Sequence, residues 1–166
     1  ASKVVSIALN GDSISVDGDG VTVDGSTATI TSAGTYNLSG SLADGQIIVN
    51  STDEKVIRLI FNGVELTNST SAPVYVIGAE EVVIILADGS QNTLTDGVNY
   101  LLGSAETDEP NAALFSAADL TISGNGSLTV DGNYNDGIAS KDGLVITSGT
   151  ITVNAADDGI RGKDYL

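Results

Sequence analysis

The sequence predicts an all-β fold, a right-handed parallel β-helix (solenoid) whose coils recur at sequence offsets of about 22–24. Two observations predict it. No window keeps an apolar helical period, whereas short β-branched runs alternate with polar residues and are separated by Gly, Asn and Asp. The C-terminal part of the chain also repeats itself residue by residue, which is typical of solenoids.

The repeat is clearest in the last two segments of the chain. Leu120–Ile122 matches Leu144–Ile146 at an offset of 24, and Asp136–Ile138 matches Asp158–Ile160 at an offset of 22. Further matches have similar offsets: Ser127–Val130 with Thr150–Val153 at 23, Lys141–Asp142 with Lys163–Asp164 at 22, and Asn111–Ile122 with Asn135–Ile146 at 24. A weaker match places Val56 beside Val82 at 26.

A repeat of this length holds three short strands and three turns, which together make one coil of a solenoid. Equivalent strands of successive coils then stack in parallel about 4.8 Å apart, and parallel crossovers favour the right hand. An antiparallel sandwich also has short strands at regular spacing, but it gives no reason for a residue-by-residue repeat. Val76 and Leu114 are equivalent by context yet lie much further apart than one coil, so a side loop is expected near residues 98–110.

Residues 1–166 are expected to form a single β-helix domain, because this length supports one well-cored domain. Residues 1–27 are expected to be N-terminal strands with a capping role, and the C-terminal end is expected to be truncated or uncapped. Hydrophobic residues make up 41% of the chain, which has 20 Gly, no Met and no Trp. This composition suits a narrow core of Val, Ile and Leu.

The charge and the missing residue types exclude several function classes. The 22 acidic and 6 basic residues give a net charge of −16, which repels nucleic acid and anionic membranes, so neither is a predicted partner. The longest apolar run, Val82–Ala87, is too short to span a bilayer. Cys and His are absent, so any metal is expected to be hard and oxygen-bound. The composition favours bacterial export, and we expect a secreted, extracellular or cell-surface protein.

Carboxylates are expected to stack between neighbouring coils. The repeat places Asp136 beside Asp158, Asn135 beside Asp157, and Asp142 beside Asp164. Like charges on stacked strands are destabilising, so a cation is expected between them. Calcium accepts six to eight oxygen ligands with flexible geometry, and it is the predicted cofactor. The alternative is that Asn-Asp-Gly and Asp-Asp-Gly are ordinary turns in which the side chains cap backbone groups.

Three of the six basic residues, Lys141, Arg161 and Lys163, fall beside these acids. One interpretation is a surface ladder in which Lys and Asp compensate each other. The other is a site for a carboxylated sugar, in which calcium bridges protein and uronate carboxylates while the basic side chains neutralise the remaining charge. Tyr134 and Tyr165 are then candidate stacking surfaces for sugar rings, although exposed tyrosines in turns are often incidental.

Several motifs together resemble bacterial secreted carbohydrate-binding domains with a pectate-lyase-like β-helix. They are Thr31–Gly40, Asp44–Val49, Ala72–Tyr75, Asn92–Gly97 and Asp157–Leu166. The resemblance implies a right-handed parallel β-helix, bound calcium, and binding of plant cell-wall polysaccharide, notably cellulose and polygalacturonate. Its most specific calcium match is Asp157–Asp164, which Asn135–Asp142 echoes. Gly143 departs from the pattern, because a second Asp is common after Lys-Asp at that position.

The predicted function is therefore calcium-dependent binding of plant cell-wall polysaccharide, acidic and also cellulose. An alternative is a structural subunit that stacks end to end into an extracellular fibre, since an open solenoid end leaves backbone groups unpaired. A third is a polysaccharide lyase, in which Lys163, Arg161 or Lys141 abstracts the proton next to the uronate carboxyl with the aid of calcium. No catalytic residue is predicted for the binding module itself.

Overall fold

The computed structural model describes residues 4–100 and 110–166, and strands are the only regular secondary structure there. The all-β prediction is confirmed. No helix in this part of the chain is long and apolar enough to cross a membrane. The strands are β1 Val4–Gly11, β2 Ile14–Asp17, β3 Val21–Asp24, β4 Thr27–Ile30, β5 Gly34–Leu42, β6 Gln46–Asn50, β7 Ile57–Thr67, β8 Val74–Gly78, β9 Glu81–Leu86, β10 Gln91–Thr95, β11 Ala112–Ser116, β12 Asp119–Gly124, β13 Ser127–Gly132, β14 Asp136–Ser140, β15 Leu144–Ile146, β16 Thr150–Ala155 and β17 Ile160–Gly162.

Most of these strands pair in parallel, in three ladders. Ladder A contains the first halves of β5 and β7 with β9, β12 and β15. Ladder B contains the second halves of β5 and β7 with β10, β13 and β16, and ladder C contains β4, β6, β8, β11, β14 and β17. From β7 onward the chain passes through A, B and C in the same order each time.

The N-terminal strands make the sheets mixed. β1 extends the first sheet by pairing in parallel with β5, while β2 pairs antiparallel with β1. β3 pairs antiparallel with β4 at the edge of ladder C. Residues 4–27 thus add strands to both sheets, and the capping role predicted for this segment stays a prediction.

The register in the C-terminal part confirms the sequence alignment. Leu120 pairs with Leu144, Leu128 with Ile151, Ile138 with Ile160, and Leu114 with Ile138, at the offsets that the repeat predicts. Between the last two coils the offset falls by one from ladder A to ladder B and by one more from ladder B to ladder C. The last coil therefore loses one residue at each of two turns while its strands stay in register.

Two of the residue pairings predicted for the coils before β11 were wrong. Val82 pairs with Ile57 and not with Val56, because Ile57 is fully buried, and a slip of one residue would turn the inward side chains outward. Leu114 pairs with Val74 and not with Val76, which pairs with Ser116. The predicted side loop near 98–110 lies largely at 101–109, outside the described residues.

The core is a column of aliphatic side chains that follows the stacked coils. Its predicted members in the coil of β12 to β14 are all 0–1% exposed: Leu120, Ile122, Leu128, Val130 and Ile138. In the next coil Leu144 is also buried, whereas Ile146, Ile151, Val153 and Ile160 are partly buried and pack against the core from one side. Among the described residues, no further coil covers these four side chains.

A buried asparagine ties three coils together at the corner between ladders A and B. The Asn92 side chain is 1% exposed. Its Oδ1 accepts hydrogen bonds from the N–H groups of Gly63 and Val64, at 3.0 and 2.8 Å. Its Nδ2 donates to Ser127 O and Ser90 Oγ, each at 3.0 Å. The side chain therefore satisfies backbone groups where β7 bends, with Gly63 at φ 83°.

Burial along the Leu128 and Ile151 pair predicts different costs for the same kind of truncation. We expect Leu128→Ala to lower the free energy of unfolding by about 2–5 kcal/mol, because it leaves a cavity between two coils. Ile151→Ala should cost clearly less, because that side chain is covered on one side only. Urea unfolding of both variants measures the difference, and equal losses would contradict the described core.

Candidate functional site

The candidate site lies at the start of β14 and β17, where two Asx-rich turns face each other. Asp158 N–H donates to Asp136 Oδ1 at 3.1 Å, and Gly137 N–H donates to Asp158 O at 3.0 Å. Asp157 N–H donates to Asn135 O at 2.8 Å. The turns therefore bring together the residues that the sequence repeat aligns.

Three carboxylates converge at these turns. Asp136, Asp157 and Asp158 each offer an oxygen within 4.8 Å of the other two, and no other such group of acids occurs in residues 4–100 and 110–166. Asp136 is fully buried, while Asp157 and Asp158 are exposed. Burial raises the pKa of Asp136; the Asp158 N–H and Arg161 lower it, and the two neighbouring carboxylates raise it. The arrangement is chemically suited to a hard divalent cation.

The other predicted ligands lie differently. Asn135 is half-buried and adjoins the group through its main-chain oxygen. Asp142 and Asp164 are neighbours in successive coils, because Asp164 N–H donates to Asp142 O at 3.1 Å. Their carboxylates do not belong to the three-carboxylate group, although the backbone pairing is as the repeat predicts.

The three predicted basic residues line one groove beside this acidic group. The groove has a volume of about 550 Å³ and is bordered by Asn111, Phe115, Ala139, Ser140, Lys141, Arg161, Gly162 and Lys163. In the described part of the chain, no carboxylate oxygen lies within 4.0 Å of Lys163 Nζ. The Lys163 ammonium therefore faces the groove without the acid partner that a surface ladder of Lys–Asp pairs requires.

Arg161 joins the groove to the acidic group. Its Nη2 lies 2.7 Å from Asp136 Oδ2, and its side chain is 48% exposed while that of Asp136 is 0% exposed. No donor in the described residues makes a hydrogen bond of regular geometry to Oδ2. One buried carboxylate thus has its first oxygen fixed by a backbone N–H and its second opposite a cation that can reach solvent.

The side-chain oxygen of Asn111, one coil earlier, is buried and has no hydrogen-bond donor among the described residues. Asn111 borders the groove, and its main-chain oxygen accepts Asp136 N–H at 3.1 Å. Buried oxygens are normally paired, so this side-chain atom at the border of the groove marks a place that a ligand can complete. The sequence contained a signal for this residue, since the repeat aligns Asn111 with Asn135 and Asp157.

Comparison with known proteins assigns the family. Residues 24–166 match the family described as carbohydrate-binding domain-containing protein. The chain belongs to this family. A carbohydrate-binding domain-containing protein of Acetivibrio thermocellus is 47% identical over 126 residues, 76% of this chain and 44% of the relative. The chain thus spans less than half the length of that relative.

A solved structure is similar to this chain in both fold and sequence. It is described as the polysaccharide lyase-like protein from C. thermocellum, a gadolinium derivative. It shares 42% identity with a TM-score of 0.89, over 92% of this chain and 62% of that one.

The two predicted stacking tyrosines have different surroundings. Tyr165 is 53% exposed, and its ring lies so close over Gly143 that a Cβ at this position would clash with it. Gly143, the departure from the resemblance, thus provides the space for this ring. Tyr134 stacks on Tyr100 with centroids 4.0 Å apart and an interplanar angle of 15°, so one of its faces is already covered.

A buried carboxylate that the sequence does not single out supports the turn before the site. Asp96 is 3% exposed and accepts the N–H of Asn133 at 2.5 Å and the hydroxyl of Tyr100. Asn133 Nδ2 donates to Asp96 O at 2.9 Å. Burial raises the pKa of Asp96 above its ordinary value of 3.8, while the bonds from Tyr100, Asn133 and Tyr134 lower it less. The sequence alone does not distinguish Asp96 from the other Asp-Gly pairs, which are predicted to be ordinary turns.

The raised pKa of Asp96 predicts a pH-dependent contribution to stability. Between 3.8 and the raised value the folded state binds more protons than the unfolded state, so stability falls as pH rises through that window. The free energy of unfolding of Asp96→Asn minus that of the parent should therefore increase with pH there and stay level above it. Urea unfolding across pH measures the difference, and Asp19→Asn, at an exposed Asp-Gly turn, is the control. A flat difference would contradict the expectation.

Proposed function

We propose that this chain is a calcium-dependent module that binds acidic plant cell-wall polysaccharide of the polygalacturonate type. The single observation that carries the proposal is the contact between a three-carboxylate group and a groove lined by Lys141, Arg161 and Lys163, on a chain of net charge −16. Membership of a carbohydrate-binding family supplies the ligand class. Binding of cellulose, through tyrosine stacking and hydroxyl hydrogen bonds, belongs to the same proposal.

The fold and location form part of this proposal. The constant order of ladders A, B and C along the chain supports a parallel β-helix, and the preference of parallel crossovers supports the right hand. The acidic, cysteine-free composition supports a secreted bacterial protein at the cell surface or outside the cell. The fibre alternative stays a prediction, since no observation favours it over binding.

The residues present fit a calcium ion. The buried Oδ2 of Asp136 lacks a regular hydrogen bond, and Asp157 and Asp158 add exposed carboxylates beside it. We propose these three residues as ligands, with Asn135 as a further oxygen donor. Bound calcium would supply positive charge that bridges protein and uronate carboxylates. A second ion at Asp142 and Asp164 stays a prediction.

The groove provides what the polymer requires from the chain itself. An acidic polymer is repelled by the net charge, so its carboxylates need a local region of opposite sign. Lys141 and Lys163 come from equivalent positions of adjacent coils, where Lys163 N–H donates to Ser140 O, and Arg161 adds a planar guanidinium between them and Asp136. A guanidinium binds a carboxylate through two parallel hydrogen bonds, which fixes the orientation of the sugar.

Binding is a better fit than cleavage. A lyase needs a base that is free to take a proton next to the uronate, and Arg161, one of the three candidate bases, forms an ion pair with the buried Asp136 carboxylate. The family description names carbohydrate binding, although the similar solved structure is described as polysaccharide lyase-like. We therefore propose a binding module in which Lys141, Arg161 and Lys163 hold the sugar carboxylates.

Calcium removal should destabilise the C-terminal coils. An ion at 100 times its dissociation constant stabilises the folded state by about 2.7 kcal/mol, so chelation should lower the melting temperature. Asp158→Asn should remove most of this dependence, whereas Asp19→Asn, at an exposed turn outside the three-carboxylate group, should keep it. Thermal unfolding with calcium and with chelator tests both, and an equal chelator response in Asp158→Asn and the parent would reject this site.

Polygalacturonate binding should depend on the groove. Lys163→Ala should weaken retention in polygalacturonate gels in calcium while leaving the melting temperature unchanged, because it removes an exposed cation that contacts the sugar. Lys55→Ala, in a separate groove with Arg58, is the matched control. Added salt should reduce retention, since exposed charges are screened over about 8 Å at physiological ionic strength.

The same preparation separates binding from cleavage. Incubation of the parent with polygalacturonate and calcium should yield no unsaturated product that absorbs in the ultraviolet. Formation of such a product, abolished by Lys163→Ala, would identify a lyase. Equal retention of the polymer with calcium and with chelator would reject the calcium-dependent mechanism.

A further inference from the structure

Arg161 occupies a position between the two halves of the site. It pairs across ladder C with Ala139, a groove residue, and its half-exposed side chain borders the groove beside Lys163. Its Nη2 nevertheless lies 2.7 Å from the fully buried Oδ2 of Asp136. The guanidinium is therefore shared between a groove open to solvent and a carboxylate of the acidic group.

A calcium ion and Arg161 would compete for the same carboxylate. Asp136 Oδ1 accepts the Asp158 N–H at 3.1 Å and Oδ2 lies 2.7 Å from Arg161 Nη2, so an ion that binds this carboxylate must share it with the guanidinium. An ion that also contacts Asp157 and Asp158 would lie beside the Arg161 guanidinium, so that two cations would share the Asp136 carboxylate. Like charges at this distance repel each other, and the half-exposed guanidinium is the one that can move.

We propose that Arg161 couples the cation to the sugar: an ion at Asp136, Asp157 and Asp158 releases its guanidinium from Asp136 into the groove, where it binds a uronate carboxylate. This inference rests on the proposed function and adds the residue that transmits the effect. The coupling is reciprocal, so a uronate that draws Arg161 into the groove frees Asp136 for the ion. Typical couplings of this kind change affinity about 5- to 150-fold.

Calcium titration of the parent and of Arg161→Gln, with and without a short oligogalacturonate, tests the coupling. In the parent, the sugar should tighten calcium binding by about 5-fold or more, and calcium should tighten sugar binding by the same factor. Arg161→Gln should bind calcium more tightly than the parent in the absence of sugar, and its coupling factor should fall several-fold. Arg58→Gln, an arginine in the other groove, should behave as the parent.

A measurement on the parent covers the case in which Arg161→Gln does not fold. The chain has two arginines, so a nitrogen–proton spectrum contains two side-chain Nε–Hε signals, and Arg58→Gln assigns them. Calcium alone should shift the Arg161 signal and leave that of Arg58 in place. An unmoved Arg161 signal on a calcium-loaded protein would overturn the inference.

The outcomes separate the inference from the function on which it rests. Calcium and sugar binding with the same coupling factor in Arg161→Gln as in the parent would overturn the role of Arg161 and leave a calcium-bridged module intact. A parent that binds no calcium, or binds the oligogalacturonate equally with chelator, would overturn both.

Discussion

The register between successive coils is the constraint on which the rest of the structure depends. Backbone hydrogen bonds between parallel strands fix which residue of one coil lies beside which residue of the next. Burial enforces this register, because a slip of one residue would expose Leu128 and Val130 and bury their polar neighbours. The same register brings Asp136, Asp157 and Asp158 into contact. The stability of the apolar core thus holds three carboxylates close together although they repel each other.

The same register also determines where the basic residues lie on the surface. All five basic residues in the described part of the chain border one of two grooves, Lys55 and Arg58 in one and Lys141, Arg161 and Lys163 in the other. Scattered cations would lower the net charge wherever they stood. Cations gathered in grooves instead create local regions of positive charge on a chain of net charge −16.

Sequence repetition was sufficient to predict the register of the last coils but not of the earlier ones. The last two copies share Asp-Gly-Ile and Leu-x-Ile patterns, and Leu114, Ile138 and Ile160 pair as aligned. Near Val56 a Glu-x-Val match misled the alignment by one residue, because the letters match outside the core and only burial distinguishes Val56 from Ile57. The grouping of Lys141, Arg161 and Lys163 followed from the same periodicity. The Asp136–Arg161 contact and the Asp96 cluster did not, because both depend on side-chain directions that no repeat records.

Asn92 has a mechanical consequence for the stacked coils. Coils joined only by strand pairing can be pulled apart one at a time, each resisting with its own ladder bonds. Asn92 is bonded to β7 on one side and to the start of β13 on the other, and it lies in β10 between them. Pulling β10 away from either neighbouring coil therefore breaks side-chain hydrogen bonds of Asn92 in addition to the bonds of the ladder. One side chain thus adds resistance to mechanical separation at two successive interfaces of the stack.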